Sequence, residues 1–137
     1  MIIDHIGIVV SSLENGIEQW QKIFGYWQIT EPVVNSRQKV GVVFLQKTDS
    51  VDVKLIAPTD ETSPVHRFAL RGGGLHHLCF RCDDLSSELA RLKAMNARVL
   101  VDPEPGEAFE NEDIAFVYVG GLNIELIDTV KRAKRKM

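Results

Sequence analysis

Residues 75–92 repeat residues 3–20. Setting Leu75 over Ile3 aligns Leu75-His76-His77-Leu78-Cys79-Phe80 with Ile3-Asp4-His5-Ile6-Gly7-Ile8. It also places Leu85 on Leu13, Leu89 on Ile17 and Leu92 on Trp20. A period near half the chain marks two copies of one supersecondary unit. The fold must therefore be one that two similar halves can build together.

The first half reads as strand, helix and three strands. Ile3 to Val10 alternates Ile6, Ile8 and Val10 on one face with His5, Gly7 and Val9 on the other. Both faces are apolar enough for a strand inside a sheet. Ser11-Ser12 supplies a helix cap, Leu13, Ile17, Trp20 and Phe24 recur at helical spacing, and Gly25 stops the helix. Trp27 to Val34 is an irregular or edge strand broken by Pro32. Val40 to Gln46 and Val51 to Ile56 are β-branched strands joined by a polar turn. The second half repeats this order. Leu75 to Cys82 is a strand and Asp84 caps a helix with the stripe Leu85, Leu89, Leu92 and Met95. Arg98 to Val101 is a strand, 102–111 is a long acidic loop, and Asp113 to Val119 and Asn123 to Asp128 are the last strands. The chain thus divides into a module at 1–58, a connection at 59–74, a module at 75–130 and a basic tail at 131–137, all in one domain. The connection is too apolar (Val65, Phe68, Leu70) for a free linker. The tail reads as a frayed, solvated terminus.

Composition narrows the function classes. A net charge of −3 gives no reason to expect nucleic acid as a partner. No apolar run reaches the roughly 20 residues of a membrane helix, and the start carries no signal-peptide pattern. Cys79 and Cys82 form a Cys-x-x-Cys. Three residues apart on a strand, they point to opposite faces, so the reading is two separate reduced thiols and a cytoplasmic protein.

The repeat also places chemistry. His5 matches His77, and Val53-Lys54-Leu55-Ile56 matches Ile124-Glu125-Leu126-Ile127. Each half offers a histidine on its first strand and a long charged residue on its last. A charge on a strand buried on both faces is costly unless it is paired or bound, so Glu125 is the most informative residue in the chain. His76 alternates away from His77 and reads as structural. Arg81 shares the His77 face and could meet an anionic substrate group. Glu107, Glu110 and Glu112 lie on the acidic loop.

The motifs Asp4-His5-Ile6-Gly7, Gly74-Leu75-His76-His77, the acidic loop before Ile114-Ala115-Phe116, and Gly121-Leu122-Asn123-Ile124-Glu125-Leu126-Ile127 resemble the vicinal oxygen chelate superfamily. Its members include glyoxalase I, methylmalonyl-CoA epimerases, extradiol dioxygenases, fosfomycin-resistance transferases and bleomycin-resistance proteins. The likeness is strongest to the epimerase and small glyoxalase branch. It implies an α+β fold in which two paired βαβββ modules form a curled mixed sheet around a cleft, and a homodimer. It also implies a divalent metal (zinc, cobalt, nickel, manganese or iron) at His5, His77 and Glu125. In the lyase and isomerase branches, the metal stabilises the enolate formed when a C–H beside a carbonyl is deprotonated, and Glu125 matches the ligand or base.

Two positions depart from the family pattern. Lys54 stands where a Glu or Gln ligand is expected, and Phe44 where the epimerases carry a second catalytic Glu. An ammonium about 4 Å from a divalent ion is repelled by about 8 kcal/mol at an effective dielectric near 20. An ordinary lysine gives up its proton at pH 7 for about 4.6 kcal/mol. A metal therefore forces Lys54 to be neutral or displaced; without metal, Lys54 can pair with Glu125 or meet a substrate oxygen. Two functions stay open. One is a metal-dependent lyase or isomerase acting on a small carbonyl compound or thioester, with Glu125 and Lys54 catalytic and Arg81 and Phe44 lining the substrate. The other is a metal-free protein that sequesters a small molecule in the cleft.

Overall fold

The computed structural model describes residues 1–136. Its nine strands and three helices run β1 (Ile2–Val9), α1 (Leu13–Phe24), β2 (Trp27–Gln28), β3 (Val33–Asn35), β4 (Val40–Gln46), β5 (Asp52–Pro58), α2 (His66–Leu70), β6 (Gly74–Arg81), α3 (Leu85–Ala94), β7 (Arg98–Gly106), β8 (Glu112–Val119) and β9 (Leu122–Ile127). The repeat is visible in the order β2-β4-β5-β1-β6-β9-β8-β7, with β3 alongside β4. Within the modules β1 pairs parallel with β5 and β6 with β9, while β1 and β6 meet antiparallel at the seam. The fold is α+β, and its single mixed sheet is open, with β2 and β7 at the edges.

Strand alternation decides which face holds the centre. Ile6, Ile8 and Val10 pack with Val43, Leu45, Val53 and Leu55 beneath Leu13, Ile17 and Trp20 of α1. Leu78 and Phe80 do the same beneath Leu85, Leu89 and Leu92 of α3. The helices thus cover one face, each over its own module. The other face curls round a core that both modules share, including Val9, Val42, Phe44, Ile56, Cys79, Phe109, Ile114, Phe116 and Ile127. Helix α1 begins where Ser12 Oγ accepts from Asn15 N–H and ends at Gly25, whose φ of 74° fits a residue without a side chain.

Two expectations from the sequence need correction. The acidic stretch is largely strand, since β7 runs on to Gly106 and a single 3₁₀ turn spans Glu107–Phe109. Pro103 and Pro105 are tolerated there because β7 is an edge. Glu107 is no free loop carboxylate, because it accepts from Ser36 N–H at 2.8 Å and so ties the second module to the first. The basic tail is docked rather than frayed as far as Lys136, and Met137 lies outside the described residues. Ala133 N–H donates to Ala108 O, Glu31 N–H to Lys134 O and Lys136 N–H to Ile29 O, each at 2.9 Å. Arg132 is buried. Among the described residues no helix is long and apolar enough to cross a membrane.

Candidate active site

The seam between β1 and β6 sets the site. His5 lies opposite Cys79 and Gly7 opposite His77, so one pseudo-twofold relates the two pairs. The His77 ring lies over Gly7, where a Cβ would stand 2.2 Å from His77 Cε1. Only glycine leaves that space. Flanking strands add Lys54, in register with Gly7, and Glu125, in register with Cys79. Phe44 pairs with Lys54 and Phe116 with Glu125. Phe44 meets the His5 ring edge-on at 5.3 Å, and Phe116 meets His77 at 5.4 Å.

Three side chains, two imidazoles and an ammonium, converge on one carboxylate oxygen. His5 Nε2 and His77 Nε2 each lie 3.0 Å from Glu125 Oε1, and Lys54 Nζ lies 3.5 Å from it. The two Nε2 atoms are 3.4 Å apart. His5, His77 and Glu125 are almost wholly buried, and Glu125 Oε2 has no hydrogen-bond partner. Burial pushes the Glu125 carboxyl up, but the Lys54 ammonium and the two imidazoles outweigh it and hold the group well below the usual carboxylate range. Burial also pushes the His77 ring down to about 4, against the pull of Glu125, so His77 is neutral at pH 7.

Both histidines are held from behind by their preceding residues, through paired bulges. The β1–β6 register skips Asp4 on β1 and His76 on β6. A bulge leaves an extra residue free to turn, and each turns toward its neighbour's ring. Asp4 Oδ2 lies 2.7 Å from His5 Nδ1, and His76 Nδ1 lies 2.8 Å from His77 Nδ1. Strict alternation sends His76 to the far face; the bulge is why it does not go there.

These residues suit a divalent ion. His5 faces a carboxylate at each ring nitrogen, Asp4 at 2.7 Å and Glu125 at 3.0 Å. A neutral imidazole has one N–H and satisfies one carboxylate. A second proton, or a cation on Nε2, is needed for the other. With metal–ligand bonds of about 2.0–2.1 Å, ligand–ligand separations of about 2.9–3.4 Å follow for ordinary coordination angles, and the three measured separations fall there. A second group, Asp4, His5 and Cys79, is also compact. It suits an ion less well, because Asp4 is engaged by cations and burial keeps the Cys79 thiol well above its usual pKa. Cys79 and Cys82 point apart, Cys79 Sγ toward Phe80 O and Cys82 Sγ toward Ile127 O, and neither is in a disulfide.

A cavity of about 200 Å³ opens beside this centre. Gln38, Lys54, His76, His77 and Asn123 are its polar lining, and Val42, Ile56 and Phe116 are among its apolar walls. Asn123 Oδ1 is buried without a partner. Glu125 lies behind Lys54 and does not itself reach the cavity wall.

The chain matches the family model described as Glyoxalase/Bleomycin resistance protein/Dioxygenase superfamily over residues 4–118. It belongs to that superfamily. The uncharacterised protein YqjC of Bacillus subtilis (strain 168) is 35% identical over 130 residues, covering 92% of this chain and 91% of that one. The structure of methylmalonyl-CoA epimerase from Mycobacterium tuberculosis superposes with a TM-score of 0.82 at 30% identity, over 93% of this chain and 87% of that one. A variant of the Streptomyces coelicolor methylmalonyl-CoA epimerase, in complex with 2-nitronate-propionyl-CoA, gives 0.81 at 29% identity, over 93% and 96%.

Within this superfamily frame, the structure brings His5, His77, Glu125 and Lys54 together as the repeat implied and sets Phe44 against the His5 ring rather than on the cavity wall, while Arg81 is turned away. Arg81 Nη1 is turned to Asp4 Oδ1 at 2.9 Å, because the bulged Asp4 presents its carboxylate there. Phe44 is 1% exposed and does not line the cavity; its ring packs under the Arg132 guanidinium at 4.0 Å. Sequence reasoning missed Asp4, His76, Asn123 and Arg132 as parts of the site. The repeat register alone could have flagged two of them, since Asp4 and His76 precede equivalent histidines.

Proposed function

We propose that this chain is a metal-dependent isomerase or lyase that moves a proton on the carbon beside a carbonyl or thioester. The observation that carries the reading is the compact triangle of His5 Nε2, His77 Nε2 and Glu125 Oε1 beside a largely apolar cavity. His5, His77 and Glu125 would hold the ion, which supplies Lewis-acid polarisation of the carbonyl oxygen when bound. Glu125 takes the proton, its unpartnered Oε2 being free to accept it. Lys54 lines the cavity, and swinging its ammonium into that space uncovers Glu125 and brings a donor to a substrate oxygen. Asn123 Oδ1 accepts from a substrate N–H or O–H. The largely apolar walls suit an acyl group, and the epimerase relatives support a branched acyl chain carried as a coenzyme A thioester.

A specific observation favours a second reading. Lys54 places a buried ammonium 3.5 Å from Glu125 Oε1, where an ion would have to displace or neutralise it, as suits a protein that sequesters a ligand. Two measurements on untagged protein decide between them. Elemental analysis and deuterium uptake from D₂O into branched acyl-CoA thioesters should show near-stoichiometric metal and exchange at the carbon beside the thioester, both lost in Glu125→Ala. Metal-free native protein that gains an ion with Lys54→Gln, and exchanges nothing, would establish the binding protein instead.

A further inference from the structure

The pseudo-twofold that relates the modules predicts two cavities, one beside each histidine. On the His77 side a cavity is open, with His76, Phe116 and Asn123 in its lining. Their counterparts beside His5 are Asp4, Phe44 and Asp52, by the same repeat register. There the space is taken by Arg132, which touches all three. Its Nη2 donates to Asp4 Oδ2 at 2.7 Å and to Asp52 Oδ2 at 3.2 Å, and its guanidinium stacks on Phe44 at 4.0 Å. Phe109 fills the space alongside, 6.2 Å from His5 and 5.7 Å from Phe44.

We propose that the C-terminal segment carrying Arg132 is a built-in plug of the second cleft, and that Arg132 is the positioning residue for His5. Arg81 holds the other carboxylate oxygen, Oδ1, but Asp4 Oδ2 is shared between Arg132 and His5 Nδ1, so it is the Arg132 guanidinium that sets the oxygen facing the ring. The plug confines substrate to the His77 side. The walls it covers are anionic at Asp4 and Asp52, where the open cavity has neutral His76 and Asn123, so a vacated plug site takes a small planar cation of the guanidinium class. Arg132 Nε and Nη1 are buried without hydrogen-bond partners. Its hold therefore rests on one nitrogen and on stacking, which a free guanidinium can reproduce. The metal part of this inference rests on the proposed function; the positioning part does not.

The test uses the full-length chain as Arg132→Ala and Arg132→Lys, with two readouts. The first is zinc and cobalt affinity by chelator competition. Loss of an outer partner lowers metal affinity by about 10–100-fold, so Arg132→Ala should lose that much and recover most of it in millimolar methylguanidinium, but not in tetramethylammonium at equal ionic strength. Arg132→Lys should fall between. The second readout is the ¹⁵N spectrum of the His5 ring in ion-free protein. Its Nδ1–H form should dominate in the parent, mix in Arg132→Ala and return with methylguanidinium. Should the parent bind no ion, the metal reading fails and the ring spectrum still decides the plug. An unchanged His5 spectrum, or rescue by either cation alike, would overturn it. If Arg132→Ala does not fold, Arg132→Lys and Asp52→Asn carry the same two readouts.

Discussion

Lys54→Met is the perturbation with the most to reveal, because it removes one charge from a closed cluster and nearly keeps the side-chain length. Lys54 Nζ lies 3.5 Å from Glu125 Oε1, with both side chains buried. At an effective dielectric near 20, unit charges at that separation attract by about 5 kcal/mol, and removing one partner of a buried pair destabilises by about 3–5 kcal/mol. Domains of this size lose about 3 °C in Tm per kcal/mol, so Lys54→Met in chelator should melt about 10 °C below the parent. A divalent ion should return most of that loss, since it replaces the missing positive charge beside Glu125. The same substitution relieves the repulsion between ammonium and ion, so affinity for zinc or cobalt should rise at least about tenfold, the equivalent of about 1.4 kcal/mol. Urea and thermal unfolding with and without ion, together with chelator competition, measure both. A variant that melts with the parent in chelator, or binds the ion no more tightly, would refute the argument that Lys54 offsets the buried carboxylate and competes for its place.

Two further outcomes follow from the geometry. Gly7→Ala puts a Cβ 2.2 Å from His77 Cε1, so the ring must leave its place; urea unfolding should show a loss of about 1–3 kcal/mol, and ion affinity should fall with it. In ion-free protein the His77 ring is held down to about 4, mainly by burial, against an ordinary 6.5. The unfolded chain therefore binds more protons between those values, and stability is full above about 6.5 and drains as pH falls toward 4, by about 3 kcal/mol. Glu125 and Asp4, also held below their ordinary range, add losses in the same direction at lower pH. Urea midpoints at pH 7.5, 6 and 5 should fall in that order, with a shallower slope in His77→Asn.

What the sequence made legible is whatever the repeat and the two-residue period of a strand control. His5 with His77, Lys54 with Glu125, the helical stripes and most strand boundaries belong there. Asp4 and His76 were hidden because a bulge breaks the alternation that assigns faces. The run to Gly106 was hidden because Pro103 and Pro105 read as loop, and an edge strand tolerates what an inner strand does not. Arg132 was hidden for a different reason. It lies in a short run rich in lysine and arginine outside the repeat, and only the closed fold shows a buried carboxylate waiting for it. Arg81 and Phe44 were assigned the right strands, yet the period says nothing of what is stacked over a face.

The seam between β1 and β6 has one more consequence. Two identical half-chains paired about a true twofold would also bring two histidines together, but symmetry would duplicate everything else. Two first modules would face lysine with lysine, and two second modules glutamate with glutamate. Joining the halves in one chain frees each side from copying the other. Lys54 can oppose Glu125, Asp4 can answer His76, and one cleft can be filled while its twin stays open. The covalent link is thus what permits a centre with a cationic side, an anionic side and an entrance beside one of them.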